Sequence, residues 1–259
     1  MPLPATQWRS QTLKNRKKAK MKKYEVTEVF RSIQGEGPQA GLPAVFVRFS
    51  GCNLGCSFCD EALRSGNAYT AREIREQIRQ AIFFMADFKH SMAKPVVVLT
   101  GGEPLMQVDR ELIDALDMYT LAIETNGDGT LFKTDREAGL ACTILQRIQT
   151  VVVSPKTSMV SEEVLRTATH LKMLIPYQDV FDRKHVIDMF NSLGTERHSR
   201  FDTNECRVFL QPITPLEWIK DPRPFRMHAQ QAVIEAVKLN NEGILARVIP
   251  QTHVFMGLK

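Results

Sequence analysis

The chain has 259 residues, 43% of them hydrophobic, and a formal net charge of +5. That is enough apolar content for one sizeable core, and no stretch reaches the roughly 18 uninterrupted apolar residues of a membrane span, so no membrane partner is expected. The N-terminus has no apolar segment followed by a small-residue cleavage site, and a cytoplasmic location is expected.

The charge is unevenly placed. Residues 1–20 hold six basic side chains (Arg9, Lys14, Arg16, Lys17, Lys18 and Lys20) and no acid, leaving 28 basic against 29 acidic residues in the remainder. Residues 1–22 therefore read as a disordered basic extension and 23–259 as a single folded domain. A nucleic-acid partner is not expected, since no aromatic residue interleaves with the basic ones between Arg9 and Lys20 to supply a stacking surface. Met21 followed by Lys-Lys-Tyr also reads as a start of its own.

Beyond the tail, apolar runs of strand length recur at 44–49, 96–99, 121–123, 151–153, 171–175, 208–210 and 244–249. Helical spacing separates most of them. Thr70-Ala-Arg-Glu73 is a capping box opening a helix with Ile74, Ile78 and Ile82 on its apolar side. A second helix is expected from Pro104, carrying Leu112, Ile113 and Leu116, and a third over 225–239. Residues 191–205 are polar and read as a surface loop. Alternating apolar strands and helices predict an α/β fold with a parallel sheet, covered on both faces or curled toward a barrel. Polar and turn-forming residues follow each run: Ser50-Gly-Cys, Thr100-Gly-Gly-Glu-Pro, Glu124-Thr-Asn-Gly, Ser154-Pro-Lys, Pro176, Gln211-Pro and Pro250-Gln-Thr-His. In parallel folds these carboxyl ends carry the ligands.

Cys52, Cys56 and Cys59 lie within eight positions, too close for a disulfide framework and suited to metal or redox chemistry. Structural zinc takes four protein ligands, and no fourth Cys or His is nearby; His90, His170 or Cys206 would have to come from afar. An iron–sulfur cluster on three thiolates leaves one iron open to a small molecule, which accounts for the missing fourth ligand. Gly51 and Gly55 suit close packing of the loop and Phe58 an apolar wall. Cys142 and Cys206 sit in apolar surroundings and read as inert core thiols.

The Cys-x-x-x-Cys-x-aromatic-Cys spacing resembles the radical S-adenosylmethionine superfamily. Seven segments in order narrow the resemblance to the 7-carboxy-7-deazaguanine synthase family: SIQGEG (32–37), FVRFSGC (46–52), TGGEP (100–104), ETNG (124–127), SPK (154–156), QP (211–212) and QTH (251–253). It runs from about Tyr24 to the C-terminus and implies a partial (β/α) barrel holding a [4Fe–4S] cluster and S-adenosylmethionine. The activity implied is conversion of 6-carboxy-5,6,7,8-tetrahydropterin to 7-carboxy-7-deazaguanine with loss of ammonia. A 5′-deoxyadenosyl radical starts this reaction by taking hydrogen from C6 of the pterin.

The resemblance assigns Cys52, Cys56 and Cys59 to the cluster. It assigns Phe58, Asp60, Gly102, Glu103, Glu124, Asn126, Ser154, Pro155, Lys156, Gln211, Pro212, Ile213 and Thr214 to the cofactor. Ile33, Gln34, Gly35, Glu36, Arg48, Thr100 and His253 are assigned to the pterin. Arg48 shares a strand face with Ala44 and Phe46, so it points inward at the rim, either to hold a carboxylate in its fork or to pair with a structural acid. Where the family has a threonine on Mg2+, this chain has Glu61, set either to bind the ion or to repel the substrate anion. The short stretch between Cys59 and Thr70 is expected to lack an early helix. A reducing donor such as flavodoxin and a homodimer are expected partners. A glycyl-radical activating enzyme and a zinc-stabilised RNA-binding module are the competing readings.

Overall fold

The computed structural model describes residues 21–59, 65–83, 95–176, 181–193, 206–214 and 223–258. Its strands are β1 (Tyr24–Ile33), β2 (Pro43–Phe49), β3 (Asn67–Tyr69), β4 (Val96–Gly101), β5 (Thr120–Thr125), β6 (Thr150–Val153), β7 (His170–Ile175), β8 (Val208–Pro212) and β9 (Ala246–Val248). They form one sheet in the order β3-β1-β2-β4-β5-β6-β7-β8-β9. Every apolar run expected to be a strand is one, and from β2 through β9 all neighbours are parallel. In the last run only Ala246–Val248 pairs as a strand, although Ile249 still donates to the Leu210 carbonyl at 3.0 Å.

Two strands are additions to the expected set, and both are antiparallel: β1 against β2, and β3 against β1. Tyr24–Ile33 carries five polar or charged residues, Glu25, Thr27, Glu28, Arg31 and Ser32, so it has no continuous apolar run. It folds as a strand by pairing on both edges. Residues 65–70 of the short stretch after Cys59 hold β3; residues 60–64 lie outside the described residues.

The helices are α1 (Ala71–Phe83), α2 (Arg110–Leu116), α3 (Asp135–Leu145), α4 (Glu162–Thr167), α5 (Arg183–Ser192), α6 (Arg223–Asn241) and α7 (Thr252–Phe255). The capping box before α1 is present: Thr70 N donates to Glu73 Oε2 at 2.7 Å, and Glu73 N donates to Thr70 Oγ1 at 3.3 Å. The helix expected from Pro104 is instead broken in two, a 3-10 turn over Pro104–Met106 and then α2. Asp109 makes the break. Its backbone is extended, and its carboxylate accepts from Leu112 N at 3.0 Å to cap α2 and from the Tyr24 hydroxyl at 2.8 Å. α6 begins at Arg223, two residues earlier than expected, with Pro224 in its first turn, where the missing N–H costs no helical bond. Asn191 and Ser192 of the expected surface loop end α5, and residues 194–205 lie outside the described residues.

The alternation of side chains along the strands divides the molecule. On one face Val45, Val47, Val97, Leu99, Leu121, Ile123, Val151 and Val153 pack with Ile74, Ile78, Leu112 and Leu145 of the helices as the main core. On the other face Ala44, Phe46, Val96, Val98 and Ala122 form a small apolar floor, with Phe30 packed against it. Register then fixes what comes next. Phe46 pairs with Val98 and Arg48 with Thr100, so one step beyond the floor the inward positions turn polar. Cys206 is buried and Cys142 half-buried; each thiol donates to a main-chain carbonyl at 3.1 Å, of Val208 and Glu163 respectively, and burial pushes the Cys142 thiol up. Cys206 thus lies in the core as expected, and Cys142 only part-way into it. No described helix is long and apolar enough to cross a membrane.

Candidate active site

Above the floor, at the carboxyl ends of the parallel strands, lies a cavity of about 250 Å³. Cys52, Cys56, Phe58 and Cys59 form one side of it; Arg48, Thr100 and Glu124 rise from β2, β4 and β5; Gly102, Glu103, Asn126, Ser154 and Lys156 come from the turns beyond. Gln211, Ile213 and Thr214 line the β8 side, and Gln34, Glu36 and His253 complete the wall. Ile33, Gly35, Pro155 and Pro212 are adjacent in sequence but do not line it. Asp60 and Glu61 lie outside the described residues.

The cysteine loop is held by the turn after β4. Gly102 N donates to the Phe49 carbonyl at 3.0 Å and Glu103 N to the Gly51 carbonyl at 2.8 Å. Gly101 has φ of 117°, and a Cβ there would lie 2.4 Å from Phe49 N; at Gly102 a Cβ would lie 1.8 Å from the Gly51 carbonyl oxygen. The glycine pair is thus required by contact with the cysteine loop itself, a neighbour the sequence did not identify.

Glu103 is buried and fixed. Its Oε1 accepts from Leu105 N at 2.9 Å and Thr125 Oγ1 at 2.7 Å, and its Oε2 from Asn126 N at 2.8 Å, while burial pushes its carboxyl up against those three donors. It ties the β4 turn to the end of β5. Asn126 continues the chain of contacts, donating through Nδ2 to Asn53 Oδ1 at 2.9 Å and toward Cys52 Sγ at 4.0 Å. Glu124 gathers two residues assigned to the pterin: Oε1 accepts from Gln34 Nε2 at 3.0 Å and Oε2 from Thr100 Oγ1 at 3.2 Å. Of the two roles expected of Arg48, the pairing with an acid is seen. The side chain reaches the cavity, and its Nε stands 3.1 Å from Glu28 Oε1, with the guanidinium carbon 5.3 Å from the Phe30 ring centre.

The far wall contains residues that the sequence reading missed. Lys172 of β7 is buried and forms an ion pair with Glu36, whose other oxygen accepts from Gln251 Nε2 at 2.8 Å and Gln211 Nε2 at 3.3 Å. Burial alone would raise the Glu36 carboxyl; Lys172, Gln251 and His253 overcome it and hold the group down at about 2. Lys156 donates to the Ser154 hydroxyl and carbonyl, both at 2.7 Å, and burial together with Lys172 pushes its ammonium down to about 8. Phe30 and Phe46, stacked with ring centres 5.0 Å apart, were also missed. A signal existed for Lys172: it interrupts the apolar strand HLKMLI at an inward position.

The donor chemistry fits an iron–sulfur cluster. Three unbridged thiols line one cavity, Leu54 N donates to Cys52 Sγ at 3.4 Å, and Asn126 points at the same sulfur. Among the described residues no three His, Cys, Asp or Glu side chains converge on a single ion. A cluster does not require this, because each thiolate takes its own iron. Without metal, burial pushes the Cys52 and Cys56 thiols up, a penalty that a bound cluster would offset.

Residues 46–145 match the family model described as the Radical SAM superfamily. The 7-carboxy-7-deazaguanine synthase of Burkholderia multivorans is 33% identical over 166 residues, which span 59% of this chain and 72% of that protein. The protein of the same name from Bradyrhizobium diazoefficiens is 36% identical over the same shares. The chain belongs to the 7-carboxy-7-deazaguanine synthase family. It is therefore a radical S-adenosylmethionine enzyme, and membership in the family implies the [4Fe–4S] cluster and S-adenosylmethionine. A further family member, from Rickettsia prowazekii, is 28% identical across 92% of this chain. The crystal structure of QueE from Escherichia coli overlays 89% of this chain and 95% of its own with a TM-score of 0.52 at 23% identity, an agreement in fold. These matches do not favour a zinc-held RNA-binding module or a glycyl-radical activating enzyme.

Proposed function

We propose that this enzyme converts 6-carboxy-5,6,7,8-tetrahydropterin to 7-carboxy-7-deazaguanine and ammonia. The observation that carries the reading is the meeting, in one cavity, of the three cluster cysteines with Arg48 and with the Gln34–Glu124–Thr100 network. The ammonia lost accounts for the whole difference in composition between substrate and product, so the net reaction needs no oxidant. The cluster and S-adenosylmethionine, when bound, supply the hydrogen-abstracting chemistry.

The chain's own work is positioning. Arg48, braced by Glu28, holds the substrate carboxylate through its fork. Gln34, Thr100 and Glu124 meet the polar edge of the ring, and Phe30 and Phe46 give its face an apolar wall. Ser154 and Lys156 receive the sugar and carboxylate of the cofactor. His253 packs on the loop after β1: a Cβ on Gly35 would lie 1.9 Å from its Nδ1, and Thr252 N donates to the Gly35 carbonyl at 3.0 Å. Residues 23–259 act as one catalytic domain in the cytoplasm, paired with a second copy, reduced by a flavodoxin-like donor, with Glu61 as the Mg2+ ligand.

The test is anaerobic reconstitution with iron and sulfide, followed by incubation with reductant, S-adenosylmethionine and the carboxytetrahydropterin. Mass detection of 7-carboxy-7-deazaguanine is the expected result. Formation of 5′-deoxyadenosine without deazaguanine would leave the radical chemistry standing and overturn the substrate.

A further inference from the structure

Gln211 combines burial with an unanswered acceptor. It is 4% exposed and lines the cavity, and among the described residues its Oε1 has no hydrogen-bond partner. Its orientation is not arbitrary. Nε2 donates to Glu36 Oε1 at 3.3 Å, and a carboxylate accepts only N–H, so the amide cannot turn over without setting two acceptors against each other. Leu174 pairs with Gln211 across β7 and β8, and Leu174 and Ile213 line the same cavity, so apolar side chains are available beside the amide. A buried acceptor with apolar neighbours suits a flat ring that carries an N–H on its edge. What fixes Glu36, and so Gln211, is Lys172, which reaches it from β7 across 136 positions of sequence.

We infer that Lys172 is a positioning residue of this cavity: through Glu36 it turns the Gln211 carbonyl toward the ligand, as the acceptor for an N–H of an amino-substituted heterocycle. The inference rests on the reading that the cavity takes S-adenosylmethionine and a pterin, because both the adenine and the aminopyrimidinone edge of the pterin carry such a donor. Among the described residues the charged or titratable groups facing Glu36 are Lys172, Lys156 and His253; Gln211 and Gln251 are neutral. Lys172 is the one in direct contact with the carboxylate, so its loss lets burial raise the carboxyl and loosens the amide at the same time.

The experiment uses the reconstituted, unreduced enzyme and two probes: 6-carboxypterin followed by its fluorescence, and S-adenosylmethionine by calorimetry, each from about pH 6 to 8, the range over which a buried carboxyl freed of its cation titrates. Lys172→Met is expected to weaken one of the two probes about tenfold or more near pH 6, with partial recovery toward pH 8, and the probe affected identifies the ring. K172R is expected to stay within about threefold of wild type, because it keeps the charge. In an E36Q background, K172M should add less than about twofold, since the residue it acts through is already neutral. Unchanged affinity for both probes in K172M, or an undiminished loss in the E36Q background, would overturn the inference. Where K172M alone does not fold, E36Q/K172M, neutral at both positions, replaces it: the same loss supports the inference, and wild-type affinity for both probes overturns it. Wild-type protein that bound S-adenosylmethionine and not 6-carboxypterin would overturn the pterin reading instead, and the S-adenosylmethionine arm would then decide the role of Lys172.

Discussion

Gly102 faces the Gly51 carbonyl oxygen so closely that any Cβ would stand 1.8 Å from it. Alanine at 102 must therefore push the cysteine loop away from the β4 turn and break the bonds from Gly102 N to Phe49 and from Glu103 N to Gly51. The expected outcome for Gly102→Ala is a folded protein that binds iron at least about threefold less well after reconstitution, because the three thiolates lose their common frame. Iron and sulfide assays and the brown absorbance measure it. Gly139→Ala is the control: it lies in α3 with no atom within 4 Å of an added Cβ, and should gain about 0.5–1 kcal/mol of stability with normal iron.

Arg48 is the cation whose geometry matters most for substrate choice. Lysine in its place keeps the charge but loses the planar fork and the stack on Phe30. For Arg48→Lys, KM for the carboxytetrahydropterin should rise about tenfold to a hundredfold with a smaller change in kcat, and binding of a pterin lacking the carboxylate should change much less. Equal losses on both ligands would show that Arg48 serves the fold through Glu28 and not the substrate.

Glu36 sets an acid limit on stability. Its folded-state carboxyl is held near 2, below the ordinary 4.5, chiefly by Lys172 against the opposing effect of burial. A carboxyl depressed in the folded state contributes stability that is complete above the unfolded value and is lost as pH falls through the folded one. Denaturant unfolding should therefore show a decline between about pH 4.5 and 2 that is shallower in Glu36→Gln, with the two proteins responding alike to pH in the neutral range. Parallel curves through the acid range would mean that the pair does not survive in solution.

What could be read from the sequence follows the kind of signal each residue leaves. The seven parallel strands were legible because each is a run of β-branched or aliphatic residues, and the rim was legible because polar motifs follow those runs. Arg48 was legible from the two-residue period that it shares with Ala44 and Phe46. β1 was not, because its polar residues hide the alternation; only pairing with β2 and β3 makes it a strand. The break at Asp109 also escaped notice, since the cap is reinforced by Tyr24, 85 positions away. The same limit applies at Glu36: its motif was visible, but the lysine and the two glutamines that hold it come from β7, β8 and the segment before α7.

Glu61 stands where the resemblance to the family implies a threonine on Mg2+. A carboxylate is a stronger ligand for a hard cation than a hydroxyl, and it also adds a negative charge near an anionic substrate. Glu61→Thr is expected to retain activity while needing more Mg2+ for half-maximal rate, on the order of severalfold. Rates measured against Mg2+ after removal of metal by chelation check this. An identical profile in both proteins would remove Glu61 from any metal role.

The Glu103 carboxylate tests whether the β4 turn is a scaffold or a ligand. Its Oε1 accepts two donors and its Oε2 accepts Asn126 N, all from the chain itself. Glutamine at 103 can satisfy Leu105 N and Thr125 through its carbonyl, but its amide then points N–H at the Asn126 N–H. Two buried donors then face each other without an acceptor, a loss of at least about 1–3 kcal/mol. Denaturant unfolding of the apoprotein should show that loss in Glu103→Gln without any cofactor present. The strain falls on Asn126, which leads through Asn53 to Cys52, so the iron content of the reconstituted variant should fall with stability. If apoprotein stability is unchanged and only S-adenosylmethionine affinity drops, Glu103 faces the cofactor directly and the scaffold account fails.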